Sequence, residues 1–153
     1  ATFYQYFPDV EAAVLAMASD LGDAWHEDLS KLVTNRDWEG DPDGSAHRVA
    51  DGMLEFWTLH KPVLRVLDMA SMEGDLRFRE IRANLLAGAT EALMDLAAER
   101  HIPGDPMASA GVVVGMLAHV ANHQHGLERW GVSHDVLVDT VAGIIRRTIL
   151  GVV

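Results

Sequence analysis

The chain of 153 residues contains no cysteine. This absence excludes disulfides, thiolate metal sites and a cysteine nucleophile, and it suits a reducing compartment, so we expect a cytoplasmic protein. Long apolar runs are also missing, because Asp, Glu, Arg or His interrupts each one before it reaches the ~20 residues that cross a bilayer. We therefore expect no membrane partner.

Basic residues are scarce as well. Lys and Arg total 12 against 23 Asp and Glu, which gives a formal net charge of −11. Since a surface that neutralises phosphates is basic, the residues present are not expected to bind nucleic acid by themselves. Hydrophobic residues make up 49% of the chain, which is enough for one globular domain with a sizeable core.

Catalytic motifs are absent from the sequence: GxSxG, GxGxxG and HExxH do not occur. Among the many carboxylates, only Asp68 stands in an apolar setting with a partner at helical spacing, and the i, i+3 spacing predicts that it pairs with Arg65. We therefore predict no enzyme activity and no cofactor.

What the sequence does contain is helical periodicity along nearly its whole length, and strand alternation is convincing nowhere. We predict an all-α fold of about six helices. The predicted elements are 10–33, 46–59, 62–70, 75–101, 106–130 and 135–150. Ser45, Asp105 and Ser133 are predicted to cap three of them, and Pro62 to separate two. Trp38, in the acidic loop after the first helix, is expected to fold back on the domain.

Two features of the last helices predict self-association. The first part of 106–130 is hydrophobic almost all round, and a helix without a polar face must be covered on both sides. The last helix, 135–150, carries apolar residues on more than one stripe. We therefore expect these two helices to pair with those of a second copy in a four-helix interface. The residues expected at this interface are Val113, Leu117, Leu137, Val141, Ile144, Ile145 and Thr148.

Large, flexible and aromatic side chains on the middle helices predict a pocket for a mostly apolar small molecule. The candidate lining residues are Met53, Phe56, Trp57, His60, Leu64, Leu67, Ile81, Leu85, Gly88, Met116, His119, Val120 and His123. Gly88 weakens an otherwise good helix and leaves room for something beside it. The same residues also suit an ordinary packed core, and the residues alone leave both interpretations open.

Two of these candidates form a separate motif. His119 and His123 are four residues apart on one helix face, a spacing that suits Zn or Ni. The residue after His119 is Val120, so the base of an HExxH protease is missing. The alternatives are histidines that orient a ligand, or surface and interface histidines that titrate near neutral pH. We assign no metal site, and we keep a stand-alone metal- or small-molecule-binding protein, or a metalloenzyme, as the rival hypothesis.

The first eleven residues carry a more specific signal. The stretch Thr2-Phe3-Tyr4-Gln5-Tyr6-Phe7-Pro8-Asp9-Val10-Glu11 resembles a segment of the tetracycline-repressor (TetR) family. In that family the segment is the end of the DNA-recognition helix and the start of the helix that links it to the ligand-binding domain. Thr2, Tyr4 and Tyr6 match family positions that contact DNA phosphates. The resemblance divides the chain into a remnant of the recognition helix and junction, 1–8, and a ligand-binding and dimerisation domain, 9–153.

The resemblance implies a ligand-responsive transcriptional regulator, and of the two kinds a repressor is expected rather than an activator. Such a protein forms a homodimer through its two C-terminal helices and takes a small apolar or amphipathic effector. It binds operator DNA through an N-terminal helix-turn-helix, which we expect to precede Ala1. Within the family, the runs 56–63 and 139–151 are similar to the branch of ethionamide-activation repressors.

Overall fold

A computed structural model describes residues 10–152, and in this range all regular structure is helical. The elements are α1 Val10–Thr34, α2 Pro42–Met72, α3 Leu76–Glu99, α4 Pro106–Asn122, α5 Gln124–Arg129, α6 His134–Ile145 and a terminal π turn Arg146–Leu150. The predicted all-α class with about six helices is confirmed. None of the helices in 10–152 is long and apolar enough to cross a membrane. The predictions for Thr2, Tyr4 and Tyr6 and for the junction 1–8 lie outside the described residues.

Side-chain caps begin α4 and α6 where the sequence predicts them. Asp105 accepts a hydrogen bond from the backbone N–H of Ala108 at 2.7 Å. Ser133 Oγ accepts one from the backbone N–H of Val136 at 3.3 Å. Each cap satisfies one of the N–H groups that the first turn of a helix leaves without an intrahelical partner.

The second helix begins earlier than predicted. Asp41, not Ser45, is its N-cap, and its carboxylate accepts from the backbone N–H of Gly44 at 2.9 Å. Pro42 follows in the first turn, where its missing N–H costs nothing. The Asp-Pro pair is the same start signal that correctly predicts α4, but here it stands inside a turn-rich stretch.

Pro62 does not separate two helices, so the predicted break is wrong. It lies inside a continuous α2, where a proline typically costs about 3 kcal/mol. Leu64 and Leu67, beyond the proline, are buried. Burying a leucine side chain contributes about 1.5–3 kcal/mol, so these two residues offset the cost of continuing the helix.

The helix predicted over 106–130 is divided in two. α4 ends at Asn122, and His123 leaves helical geometry with φ −109° and ψ 10° before α5 begins. The ring Nδ1 of His123 lies 2.8 Å from the carbonyl oxygen of His119. A side chain that bonds to the preceding turn competes with the backbone ladder for that carbonyl, which accounts for the break.

The helices share one continuous core of buried side chains. α1 packs mainly against α3, and α6 packs against α2. Two histidine–carboxylate contacts join α6 to α2, His47 to Asp139 at 3.0 Å and His134 to Asp51 at 2.7 Å. Trp38 is buried, and its indole N–H donates to a backbone carbonyl near the end of α1. The prediction that it folds back on the domain is confirmed.

Candidate functional site

An aromatic cluster joins the middle of α1 to α2. The ring of Trp25 lies 4.4 Å from that of His60 and 5.4 Å from that of Phe56, measured between centroids. Phe56 also contacts His60 at 4.6 Å and Trp57 at 5.5 Å. Burial lowers the pKa of the His60 imidazole below its ordinary 6.5, while the charge of Asp28 acts in the opposite direction. The structure thus brings three predicted pocket residues together and adds Trp25, which the sequence analysis missed.

The remaining predicted pocket residues are divided between the core and the surface. The buried ones are Met53, Trp57, Leu64, Leu67, Leu85 and Gly88. The half-buried ones are Phe56, His60, Ile81, Met116 and Val120, and the exposed ones are His119 and His123. Among them, Leu67 lines the first of the grooves described below, Trp57 lines the third, and the second is lined by His119, Val120 and His123.

The room beside Gly88 is filled by the backbone of α1. A Cβ atom at position 88 would lie 2.9 Å from the carbonyl carbon of His26, and closer still to its oxygen. At the same crossing, a Cβ at Gly22 would lie 2.9 Å from Cγ2 of Ile81. His26 also reaches across, with Nδ1 2.8 Å from the carbonyl oxygen of Asn84. Glycine is therefore needed here for the close approach of α1 and α3.

A first groove, of about 290 Å³, runs between α1 and the second half of α2. We call it the α1–α2 groove. Its lining residues are Val14, Met17, Ala18, Leu21, Pro62, Val63, Val66 and Leu67. Only Leu67 among them was predicted as a site residue. The sequence feature that could have indicated this groove is the apolar stripe of α1, which is wider than one neighbouring helix covers.

A second groove, of about 610 Å³, lies where α4 meets α5. Its lining residues are His119, Val120, His123, Gly126, Leu127, Arg129 and Trp130. The two exposed histidine rings are stacked with their centroids 4.3 Å apart. Within residues 10–152, no group of three or more His, Asp or Glu side chains is placed to hold a metal ion. A metal at this pair would need a ligand from outside the described chain.

A third groove, of about 370 Å³, is polar and lies between α2 and the segment from α4 to α6. Asp51, Glu55 and Glu128 line it together with His125 and His134. Each histidine is paired with a carboxylate, His125 with Glu128 at 2.9 Å and His134 with Asp51 at 2.7 Å. The three carboxylates outnumber Lys61, which also lines the groove, and give it a negative character that disfavours an anionic ligand.

Asp68 does not pair with Arg65, so that prediction is wrong. Its carboxylate forms an ion pair with Arg82 of α3 and accepts from the amide of Asn122 at 3.2 Å. Arg65 is exposed. A half-buried partner on a neighbouring helix outcompetes an exposed one on the same helix, because its charge is screened less by water. Asp68 therefore links α2, α3 and α4.

Most residues predicted at the dimer interface face the interior of the protomer. Buried in its own core are Val113, Leu117, Leu137, Val141 and Ile145, and half-buried are Ile144 and Thr148. The exposed faces of the same helices carry other apolar side chains, with Val112 69% and Val136 54% exposed. Gly111 and Gly115 lie on the exposed face of α4, and a Cβ at either would meet no atom of the described residues within 4 Å.

A protein-family model described as "Tetracyclin repressor-like, C-terminal domain" matches residues 29–152. The match begins in the last part of α1 and includes every later helix. Comparison with curated proteins gives no significant match, and comparison with solved structures gives none either.

Proposed function

This chain belongs to the tetracyclin repressor-like C-terminal domain family, and on that premise we propose that it is the ligand-binding and dimerisation part of a TetR-type transcriptional repressor. The family match over residues 29–152 is the observation that carries the proposal. The stretch that resembles the family's junction supports it, because its last two residues, Val10 and Glu11, lie in α1, the helix that would link a recognition helix to this domain.

We propose that two copies pair through the exposed faces of α4 and α6. On these faces lie Gly111, Val112, Gly115 and Val136. The residues that follow Val112 and Val136 in the sequence belong to the core. A glycine inside a helix costs about 1 kcal/mol relative to alanine. Within residues 10–152, no neighbouring atom requires glycine at 111 or 115. Close packing of a partner helix would account for both.

In this proposal α1 carries the signal to DNA. The dimer holds two recognition helices at a fixed spacing, with Thr2, Tyr4 and Tyr6 at the phosphates. α1 packs against both α3 and α2, so a small apolar effector bound beside it changes its setting relative to both. The effector shifts the equilibrium between two settings only by its difference in affinity for them.

Selection from randomised double-stranded DNA by the intact protein tests the proposal directly. We expect enrichment of a two-fold symmetric site whose half-sites lie one helical turn, or a multiple of it, apart. Recovery of no common sequence would refute a role as a sequence-specific repressor.

A matched pair of variants tests the proposed interface. Val112→Glu places a charge on the exposed face of α4, and Leu76→Glu does the same on α3 at similar exposure, 69% against 62%. In sedimentation velocity, the first variant should be monomeric and the second dimeric like the wild type. A dimeric Val112→Glu protein would place the interface elsewhere.

A further inference from the structure

We propose that the α1–α2 groove, with His60 at its inner end, binds a neutral, mostly apolar small molecule that carries one hydrogen-bonding group. The inference rests on the proposed function for its regulatory meaning, because it gives the place and the chemical class of the effector. It differs from the pocket predicted among the middle helices, of which only Leu67 lines this groove.

The aromatic cluster lies on the same line of contact between α1 and α2 that forms the groove. Leu21 and Val63 both line the groove. Trp25 follows Leu21 by one helical turn on α1, and His60 precedes Val63 by one turn on α2. Since the rings of Trp25 and His60 lie 4.4 Å apart, they form the next layer along the same antiparallel pair of helices. That layer lies one turn beyond the lining residues Leu21 and Val63, which places it at the inner end of the groove.

The lining of the groove selects an apolar molecule. All eight lining residues are Val, Met, Ala, Leu or Pro, so their side chains offer burial and dispersion but no hydrogen bond or ion pair. The volume of about 290 Å³ admits about ten non-hydrogen atoms, at about 30 Å³ for each water-sized group. Met17 and Val66 leave the groove open towards solvent, with 63% and 48% of their surfaces exposed.

His60 supplies the polar recognition. Its ring is half-buried between Trp25 and Phe56, and among residues 10–152 it has no hydrogen-bond partner. A ligand that supplies a hydrogen-bond partner to a buried donor or acceptor gains binding free energy. In an otherwise apolar site, such polar groups also fix the orientation of the ligand. A hydroxyl, ester or ketone can bond to an imidazole in either tautomer.

The charges around the groove favour a neutral ligand. Burial lowers the pKa of His60, which favours the neutral imidazole, and the charge that acts on it is the negative one of Asp28. A carboxylate at this end would meet the negative charge of Asp28. An ammonium group would have to lose its hydration beside apolar side chains, which is costly.

Binding of three probes of similar length to the intact protein tests the inference. Using calorimetry at pH 8, we expect 1-nonanol to bind once per chain and at least tenfold tighter than nonanoate. His60→Phe should weaken nonanol binding about fivefold, the effect of one net hydrogen bond, and leave decane binding unchanged. Equal affinities for nonanol and nonanoate, an equal loss for decane, or no binding of nonanol would overturn the inference.

A second pair of variants locates the site. Met17→Glu puts a charge into the groove, and Leu76→Glu puts one on a surface of the same exposure, 63% against 62%. The first should weaken nonanol binding at least tenfold and the second should not change it. Unchanged binding to Met17→Glu would overturn the inference. So would dissociation of the dimer by Met17→Glu, because the groove would then be covered by a second copy.

The two proposals fail separately. If the protein selects a DNA site but nonanol binds equally to wild type and Met17→Glu, the repressor stands and its effector site lies elsewhere. If Met17→Glu abolishes nonanol binding but no DNA site is selected, the groove is a ligand site and the repressor function fails.

Discussion

Substitution of Gly88 by alanine tests the close approach of α1 and α3. The new Cβ would lie 2.9 Å from the carbonyl carbon of His26. Because the opposing atoms belong to the backbone, no rotamer change relieves the clash and α1 must move. Overpacking of this kind costs about 1–3 kcal/mol, and the upper end applies here. The gain of about 1 kcal/mol from replacing a helical glycine is subtracted, so we expect a net loss of about 2 kcal/mol.

The matched control is Gly126→Ala in α5, where a Cβ would meet nothing within 4 Å in the part of the chain that the structure describes. This variant should be neutral or more stable by up to about 1 kcal/mol. Urea denaturation followed by circular dichroism measures both. For a chain of this size, a loss of 2 kcal/mol lowers Tm by about 4–8 °C. A Gly88→Ala protein as stable as the wild type would refute the proposed contact between the helices.

Three further predictions concern caps, ion pairs and pH. Asp105→Ala removes the N-cap of α4 and should cost about 1 kcal/mol in urea denaturation; an unchanged midpoint would argue against the cap. Arg82→Met should cost about 1–2 kcal/mol, because it leaves the half-buried carboxylate of Asp68 without its cation, whereas Lys31→Met, which breaks an exposed pair, should change the midpoint far less. The folded pKa of His60 is lower than its unfolded value, so its contribution is fully present above about pH 6.5 and is lost as the pH falls below that towards the folded pKa. The stability of His60→Phe should therefore fall less than that of the wild type between pH 7 and 5, and parallel curves would contradict this.

Local sequence was enough to predict that the helices exist. It was not enough to predict where a helix continues through a proline or is interrupted. The caps at Asp105 and Ser133 are contacts within three residues, so the sequence contains all that determines them. Whether a helix passes through Pro62 depends on what Leu64 and Leu67 bury against on other elements. The break at His123 likewise depends on a side chain choosing a backbone carbonyl over solvent.

The candidate site was only partly predictable for the same reason. Phe56 and His60 were chosen for their chemistry, but their partner Trp25 lies on a different helix and is identified only once α1 and α2 are in register. Gly88 was correctly seen as making room, yet the sequence could not say that a backbone fills it. On α4, where apolar residues surround the axis, the rotation that buries Val113 and exposes Val112 is set by the neighbouring helices.

The most direct measurement of the account is the affinity of the intact protein for its selected DNA site, with and without a ligand that saturates the α1–α2 groove. Coupling through α1 predicts that the ligand weakens DNA binding by about 5–150-fold, and that DNA weakens ligand binding by the same factor. Fluorescence anisotropy with labelled DNA gives the first factor and calorimetry gives the second. An affinity for DNA that stays the same at saturating ligand would contradict the account.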